Sequence, residues 1–260
     1  MASILFIGDI VGKPGREAVN KVLPGLIARR NPDLVIANGE NAAGGAGITE
    51  KVLDELTEAG IDLVTGGNHI WDRKEIFQFI DSSEQLLRPA NYPEGTPGRG
   101  SIVIERNGIR YCIANILGRV FMRPIDCPFS CANKICTAQG KDADITIIDF
   151  HTEATSEKQA LAWHLNGRVG AVIGTHTHVQ TADERILPGG TAYISDVGMA
   201  GQYNSILGVD PEGPLKRFLT QLPAELSITG GRKLFNAVFI DFEVRTGKAL
   251  SIERINSIIK

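Results

Sequence analysis

Short apolar runs and helix-like segments alternate along the first third of the chain. Residues 4–7 and 34–37 are continuous apolar runs, which is typical of strands buried on both faces. Between them, apolar residues recur every three or four positions over 19–27 and predict an amphipathic helix. A second helix is predicted to begin at Thr49, and a third strand at 61–65 follows it. These β-α-β units predict a sheet that is at least partly parallel.

The middle of the chain is predicted to hold a helix, a hairpin and a loop. Apolar positions within 76–80 predict the helix, and Asp72 is a candidate for its N-cap. Asn107-Gly108 stands between two apolar runs, which is a strong hairpin signal. Residues 118–141 have no steady hydrophobic period, and we expect a loop there with one short helix.

The second half of the chain continues with strands and a helix. Residues 145–148, 169–173 and 191–195 are predicted strands. Ser156 and Gln159 resemble a capping box and predict the start of a helix between the first two of these strands.

The end of the chain is predicted to be a hairpin that follows a flexible stretch. Residues 199–214 are rich in glycine and are expected to be mobile, whereas 238–244 and 250–255 alternate between apolar and polar residues. No repeat or linker divides the chain. We therefore expect one α/β domain over residues 1–260.

Composition and charge narrow the classes of partner. The 260 residues are 43% hydrophobic and 22% charged, as in ordinary globular proteins. With a net charge of -3 and a pI near 6.0, the chain lacks the basic footprint of a dedicated nucleic-acid surface. No apolar run approaches the ~20 residues of a membrane span, and the first residues lack the pattern of a secretory leader. We expect a cytoplasmic protein without a membrane partner. The sequence leaves open whether it forms a homo-oligomer.

The four cysteines do not form a clear metal motif. Cys112 lies within an apolar run and is expected to be a core residue. Cys127, Cys131 and Cys136 lack C-x2-C pairing and a nearby histidine, so reduced thiols are favoured over a structural zinc.

Polar side chains follow five of the predicted strands, at the point where each strand ends. In open α/β sheets, binding sites form outside the carboxyl ends of the strands. Four of the five histidines of the chain belong to this set. The motifs are Gly8-Asp9, Gly39-Glu40-Asn41, Gly67-Asn68-His69, Phe150-His151 and His176-Thr177-His178.

Seven of these side chains are candidate metal ligands. They offer carboxylate, amide and imidazole donors without a thiolate, and seven are too many for one tetrahedral zinc. The set suits two metal ions that share a carboxylate, and iron, manganese and zinc all accept such mixed nitrogen and oxygen donors. The candidates are Asp9, Glu40, Asn41, Asn68, His151, His176 and His178.

His176 and His178 form the most conspicuous of these motifs. In an extended segment, side chains two residues apart point to the same face, so both imidazoles are expected to reach one pocket. Two polar residues in a turn are the alternative. We expect Asp149 to point away from His151 and to have a structural role.

Three of the blocks resemble those of the calcineurin-like metallophosphoesterases. They are Gly8-Asp9, Gly67-Asn68-His69 and Gly174-Thr175-His176-Thr177-His178. The superfamily usually has a histidine two residues after the first aspartate, and here Val11 stands at that position. This departure, together with Gly39-Glu40-Asn41 and residues 88–91 and 153–158, resembles the bacterial YmdB-like subfamily over essentially the whole chain.

The resemblance implies a fold and a metal site. The fold is a four-layer α/β/β/α sandwich with mixed sheets. One metal would be held by Asp9, Glu40, Asn41 and His178, and the other by Glu40, Asn68, His151 and His176. Glu40 would bridge the two ions, which are commonly iron in the subfamily, and Asn41 would replace the missing histidine.

The resemblance also implies an activity, namely hydrolysis of cyclic nucleotides such as 2',3'-cyclic AMP. Water activated between the two metals would attack phosphorus, and His69 is the candidate general acid for the leaving oxygen. Two alternatives stay open. One is a metal-dependent regulatory module that binds a nucleotide, and the other is a phosphomonoesterase similar to 5'-nucleotidases.

Several residues near these motifs have simpler interpretations. Asn41 and Asn68 are also compatible with turns, and Asp72 would either orient His69 or cap a helix. The glycines at 44, 45 and 47 favour a tight turn over a phosphate cradle. A surface salt bridge or a packing role is expected for Arg88, Arg119 and Phe121. His164 is expected to be solvated, and no motif supports Asp196 as a ligand.

Overall fold

Two β-sheets and five α-helices make up the computed structural model, which describes residues 1–260. The strands are β1 (Ala2–Ile7), β2 (Asp9–Ile10), β3 (Leu34–Asn38), β4 (Leu63–Thr65), β5 (Leu86–Leu87), β6 (Ser101–Arg106), β7 (Ile109–Leu117), β8 (Ile145–His151), β9 (Ala171–Thr175), β10 (Arg185–Ile186), β11 (Ala192–Ile194), β12 (Met199–Gln202), β13 (Lys233–Glu243) and β14 (Lys248–Ile259). The helices are α1 (Gly12–Arg30), α2 (Glu50–Glu58), α3 (Pro128–Thr137), α4 (Thr155–His164) and α5 (Glu212–Thr220). Two 3-10 helices cover Lys74–Gln78 and Gln139–Asp142.

The first sheet joins the two ends of the chain. Its strand order is β2-β12-β13-β1-β3-β4-β5, and β14 pairs with β13. Strands β1, β3, β4 and β5 are parallel, which confirms the predicted β-α-β units, and β13 runs antiparallel to β1. The parallel strands therefore deliver their carboxyl ends to one edge of the sheet.

The second sheet is built from the middle of the chain, in the order β10-β11-β9-β8-β7-β6. Strands β7, β8, β9 and β11 are parallel, and β6 forms the predicted hairpin with β7. Asn107 and Gly108 have φ values of 53° and 74°, and a two-residue hairpin turn with both residues in the left-handed region matches the twist of its strands.

Three hydrophobic clusters define the layers. Successive residues of β1 alternate, so that Ile4 and Phe6 lie in a cluster with Ile113 and Ile147 of the second sheet. Leu5 packs instead with residues of α1 and α2. A third cluster joins the other face of the second sheet to α3 and α4. The layers are therefore helix, sheet, sheet and helix, and the mixed α/β prediction is confirmed.

Two predicted helix starts are wrong. Arg73, rather than Asp72, precedes the 3-10 helix at Lys74–Gln78, because Asp72 turns its carboxylate to His69. Helix α4 starts at Thr155, and its N-cap Ala154 has no side-chain hydrogen bond. Ser156 therefore lies inside the helix, and the predicted capping box does not form.

Regular secondary structure occupies both ends of the stretch at 199–214. Strand β12 is buried and is hydrogen-bonded between β2 and β13, and α5 begins before the stretch ends. The stretch that was predicted to be mobile therefore contains a paired strand and the start of a helix, and its small residues allow the strand to pack closely against its neighbours. None of the helices combines the length and apolar character needed to cross a bilayer.

Candidate metal centre and active site

The seven candidate ligands lie together at the carboxyl ends of strands from both sheets. Each occupies the end of a strand or the turn that follows it, apart from Asp9 in the short strand β2. Glu40 and Asn41 follow β3, Asn68 follows β4, His151 ends β8, and His176 and His178 follow β9.

Four donor groups surround one position. His151 Nε2 lies 3.1 Å from Glu40 Oε1 and 3.1 Å from Asn68 Oδ1. His176 Nδ1 lies 3.0 Å from the same nitrogen. The donor atoms of Glu40, His151 and His176 all lie within 4.8 Å of one another. These four residues are the ones that the family resemblance assigns to a single metal.

The remaining ligand candidates lie on the other side of Glu40. Asn41 Nδ2 is 3.1 Å from Glu40 Oε1 and 3.3 Å from His178 Nε2, and His178 Nε2 is 3.7 Å from Asp9 Oδ1. Glu40 therefore adjoins both groups. A ligand role for Asn41 requires its amide oxygen in place of Nδ2, which a half-turn of the amide provides.

The His151 ring is held by a relay of hydrogen bonds. Thr175 Oγ1 donates to Asp149 Oδ1 at 2.7 Å and thereby accepts from His151 Nδ1 at 2.9 Å. The other ring nitrogen, Nε2, is left for the site. Asp149 and His151 share a face because residues two apart on a strand point the same way, so the expectation that Asp149 points away is wrong.

The other two imidazoles are held in the same manner. His176 Nε2 donates to Glu153 Oε2 at 3.1 Å, and His178 Nδ1 donates to the carbonyl oxygen of Leu207 at 3.0 Å. In each ring, the second nitrogen faces the site. Protein acceptors therefore fix the tautomer that a metal ligand needs.

Burial and neighbouring charges set the protonation states of Glu40, His151 and His176. Burial would raise the pKa of the Glu40 carboxyl, but His151 and the backbone N–H of His69 lower it to about 2. Burial would lower the pKa of His151, but Glu40 and Asp9 raise it to about 9. Burial and the neighbouring His151 lower the pKa of His176 to about 3. Glu40 is thus a carboxylate and His176 a neutral imidazole at pH 7.

Asp9 offers a direct test of whether the donor set fits a metal ion. Its Oδ2 accepts from the backbone N–H of His176 at 3.2 Å, while its Oδ1 is buried without a hydrogen-bond partner. Burial raises the pKa of this carboxyl to about 6, against the opposing effect of His178 and His151. A buried unpaired acceptor is costly, and a cation beside it would remove that cost. The donor set therefore fits metal binding.

The turn after β4 places Asn68 and His69. A Cβ atom on Gly67 would collide with the Glu40 carboxylate and the His151 ring, so only glycine allows the backbone to lie this close to the two side chains. The backbone N–H of His69 then donates to Glu40 Oε2 at 2.8 Å. The residues of this block are thereby fixed relative to the shared carboxylate.

His69 stands apart from the candidate ligands. Its Nδ1 lies 2.7 Å from Asp72 Oδ2, and both side chains are about half exposed. Of the two roles considered for Asp72, orientation of His69 is the one that the structure shows. The second nitrogen of the ring is left for a proton transfer.

The His176-Thr177-His178 segment is not an extended strand. Strand β9 ends at Thr175, and φ is 102° at His176 and 63° at His178. The prediction that both imidazoles reach one pocket holds, but a strained turn brings them there. The two side chains therefore share a pocket because of the turn, and not because side chains alternate along a strand.

A buried ion pair supports this turn and was missed in the sequence. Lys158 Nζ donates to Asp196 Oδ2 at 2.7 Å and to the Thr175 carbonyl at 2.8 Å. Asp196 Oδ2 also accepts from the backbone N–H of Thr177 at 2.9 Å. The position of Asp196 at a strand end was a signal, whereas Lys158 on α4 gave none.

The simpler interpretations are mostly confirmed. Cys112 is fully buried, and the glycines at 44, 45 and 47 adopt positive φ values in the turn beside the site. Arg88 donates to backbone carbonyls of 89, 96 and 97, and His164 is exposed. Phe121 differs, because 89% of it is exposed and a packing role is therefore excluded.

The fold matches that of a class of phosphoesterases. Comparison with the calcineurin-like phosphoesterase YfkN of Bacillus subtilis gives a TM-score of 0.57 over 99% of this chain and 90% of that chain. The identity is 12%, so this likeness concerns the fold. The architecture is that of a calcineurin-like phosphoesterase.

A narrower family follows from the sequence. The model of the YmdB-like protein family matches residues 5–255, and the chain belongs to that family. A 2',3'-cyclic-nucleotide 2'-phosphodiesterase of Bacillus subtilis is 52% identical over 97% of this chain and 96% of its own length. The crystal structure of a novel phosphatase from Mycoplasma pneumoniae is 35% identical, with a TM-score of 0.94 over 99% of this chain and 94% of that chain. The chain is accordingly a phosphoesterase.

Proposed function

We propose that this protein is a metal-dependent phosphodiesterase that hydrolyses 2',3'-cyclic nucleotides. The observation that carries the proposal is the arrangement of His151, His176 and His178. Each ring donates one N–H to a protein acceptor. The other nitrogen faces Glu40 in His151, Asp9 in His178 and Nε2 of His151 in His176. The name of the 52% identical relative supplies the substrate class.

Two metal ions fit the donor set, and the proposed ligands divide around Glu40 as the family resemblance implies. Mixed carboxylate, amide and imidazole donors suit iron, with manganese or zinc as alternatives. When bound, such a pair withdraws charge from phosphoryl oxygens and makes water a nucleophile near neutral pH.

The protein's own contribution to the leaving group comes from His69. As the oxygen of water bonds to phosphorus, the bond from phosphorus to the ribose 2' oxygen breaks. His69 donates its proton to that oxygen, while Asp72 accepts from Nδ1 and holds the ring. The proton lost by the attacking water restores the histidine. Cleavage at this bond leaves a nucleoside 3'-phosphate.

Variants of the proposed ligands test the metal part. We expect Glu40→Gln to lose most of the bound metal and nearly all hydrolysis, because Glu40 adjoins both donor groups. The control is Glu58→Gln on the exposed face of α2, which removes the same charge away from the site. Elemental analysis and turnover of 2',3'-cyclic AMP are measured together. Full metal content with full hydrolysis in Glu40→Gln would refute the proposal.

A variant of His69 separates catalysis from metal binding. His69→Ala is expected to lower kcat by roughly 100- to 10000-fold, the usual contribution of a general acid, while the metal content stays unchanged. Loss of the metal as well would show that His69 is a ligand. Unchanged turnover would exclude the proposed acid and favour a regulatory nucleotide-binding module.

A phosphomonoesterase is the second candidate. It is favoured by the 35% identical Mycoplasma pneumoniae protein, which is called a phosphatase. The two activities differ in their products from 2',3'-cyclic AMP. A diesterase stops at the nucleoside monophosphate, whereas a monoesterase that acts on the opened product releases adenosine and inorganic phosphate.

A further inference from the structure

Phe121 is an aromatic residue held out in solvent beside the site. Its side chain is 89% exposed, and its φ of 61° is in the left-handed region. That conformation is uncommon for a bulky residue and costs free energy. Neither exposure of the ring nor the backbone strain contributes to the stability of the fold. Both point to a role in binding.

The segment that carries Phe121 is fixed at both ends by buried polar side chains. Glu157 accepts from the backbone N–H groups of Arg119 and Val120, each at 3.1 Å. Asn91 donates to the carbonyl oxygen of Asp126 at 2.9 Å. Glu157 is 8% exposed and Asn91 is 2% exposed. The ring is thus presented by a supported loop.

Residues of this loop and the catalytic side chains line one cavity of about 400 Å³. Phe121, Met122 and Arg123 line it together with His69 and Asp72. The volume lies within the usual range for small-molecule sites. The cavity is therefore continuous with the proposed proton donor and large enough for a nucleobase.

The chemistry of the leaving group predicts what enters this cavity. In a 2',3'-cyclic nucleotide, the 2' oxygen is carried by C2', and the base is carried by the neighbouring C1'. If His69 protonates the 2' oxygen, the base must lie close to His69. The exposed aromatic ring of Phe121 lines the same cavity as His69.

We propose that Phe121 is a specificity-determining residue that stacks on the base of the substrate. The proposal rests on the proposed function and deepens it, because it explains recognition of nucleotides over other cyclic phosphodiesters. Stacking of a base on an aromatic side chain tolerates any base but favours purines, which offer the larger ring surface.

The test compares a nucleotide with a cyclic phosphodiester that has no base. Phe121→Ala is expected to raise KM for 2',3'-cyclic AMP roughly 5- to 150-fold, the usual effect of losing one stacked base. Glycerol 1,2-cyclic phosphate has the same five-membered cyclic phosphodiester as 2',3'-cyclic AMP but no base, and its hydrolysis is expected to stay unchanged. Phe121→Trp restores stacking and is expected to retain the KM of the original protein.

The control variant is Phe218→Ala, which removes a 75% exposed phenylalanine from α5 and leaves this cavity intact. It is expected to alter neither substrate. An unchanged KM for 2',3'-cyclic AMP in Phe121→Ala would overturn the proposal. An equal loss on both substrates would also overturn it, because the ring would then act on the catalytic groups.

A binding measurement keeps this inference separate from the proposed function. Calorimetric titration with adenosine 3'-monophosphate requires no turnover, and Phe121→Ala is expected to bind it at least roughly fivefold more weakly. If the original protein hydrolyses no cyclic nucleotide but shows this difference, the proposed reaction fails and the base site stands. Equal binding by both proteins refutes the base site whatever the activity.

Discussion

Each histidine of the proposed centre uses one ring nitrogen to hold its orientation and keeps the other for the site. The residues themselves were predictable from the sequence, because His151, His176 and His178 follow apolar runs. Their partners were not. The Thr175 hydroxyl and the Leu207 carbonyl take part only through contacts that the chain makes after folding, and a backbone carbonyl leaves no signature in a sequence.

The protonation of His151 makes metal binding dependent on pH. Burial opposes but Glu40 and Asp9 raise its pKa to about 9, so both ring nitrogens carry a proton at pH 7, and the proton on Nε2 must leave before this atom binds a metal. Affinity is therefore expected to rise with pH until about pH 9. Titration with Mn²⁺ in two buffers of different ionisation enthalpy measures the proton release. No release between pH 6 and 8 would contradict this protonation state.

Asp72 is expected to affect kcat rather than metal content. Asp72→Asn keeps the size of the side chain but weakens the contact with His69 Nδ1, which is 2.7 Å in length. We expect kcat to fall by less than in His69→Ala, with KM and bound metal unchanged. Asp81→Asn, which changes an exposed carboxylate outside the site, is the control. A loss of metal in Asp72→Asn would show that Asp72 supports the centre itself.

Among the elements, the turn after β9 depends most on distant parts of the chain. The sequence predicted the strand and its two histidines, yet the positive φ values at His176 and His178 were not predictable from local residues. Non-glycine residues adopt such values only where surrounding contacts fix them. Lys158 on α4 and Asp196 after β11 provide these contacts through the Thr175 carbonyl and the Thr177 N–H.

Removal of the buried lysine is expected to release this turn. Lys158→Met leaves Asp196 as a buried unpaired charge, and breaking such a pair usually costs about 3–5 kcal/mol of unfolding free energy. Chemical denaturation measures the loss, and metal analysis of the folded fraction is expected to show weaker binding. Lys51→Met on the exposed face of α2 is the control. Unchanged stability and metal content would mean that the turn forms without the pair.

At the scale of the whole molecule, apolar runs predicted most strands of both sheets, because buried parallel strands are continuous in hydrophobicity. The short strands β2 and β12 were not predicted. Strand β2 has only two residues and β12 contains residues of low strand propensity such as Gly201, so both depend on pairing, β12 with β13 and β2 with β12. The pairing of β12 with Asp9 in β2 links the C-terminal half of the chain to the site.

We propose that the 260 residues form one domain, since β1 and β13 pair and the cluster between the sheets draws on both halves of the chain. Heating is expected to give a single cooperative transition with equal calorimetric and van't Hoff enthalpies. Saturation with metal is expected to raise its midpoint. Differential scanning calorimetry with and without a chelator measures both effects, and two separate transitions would indicate independent domains.

The most direct test is turnover of 2',3'-cyclic AMP by anaerobically purified, metal-loaded protein, followed by phosphorus NMR. The proposed site predicts that the cyclic substrate disappears, that adenosine 3'-monophosphate accumulates, and that chelation of the metal stops the reaction. Intact substrate in the presence of protein that holds two metal ions per chain would contradict the proposed phosphodiesterase.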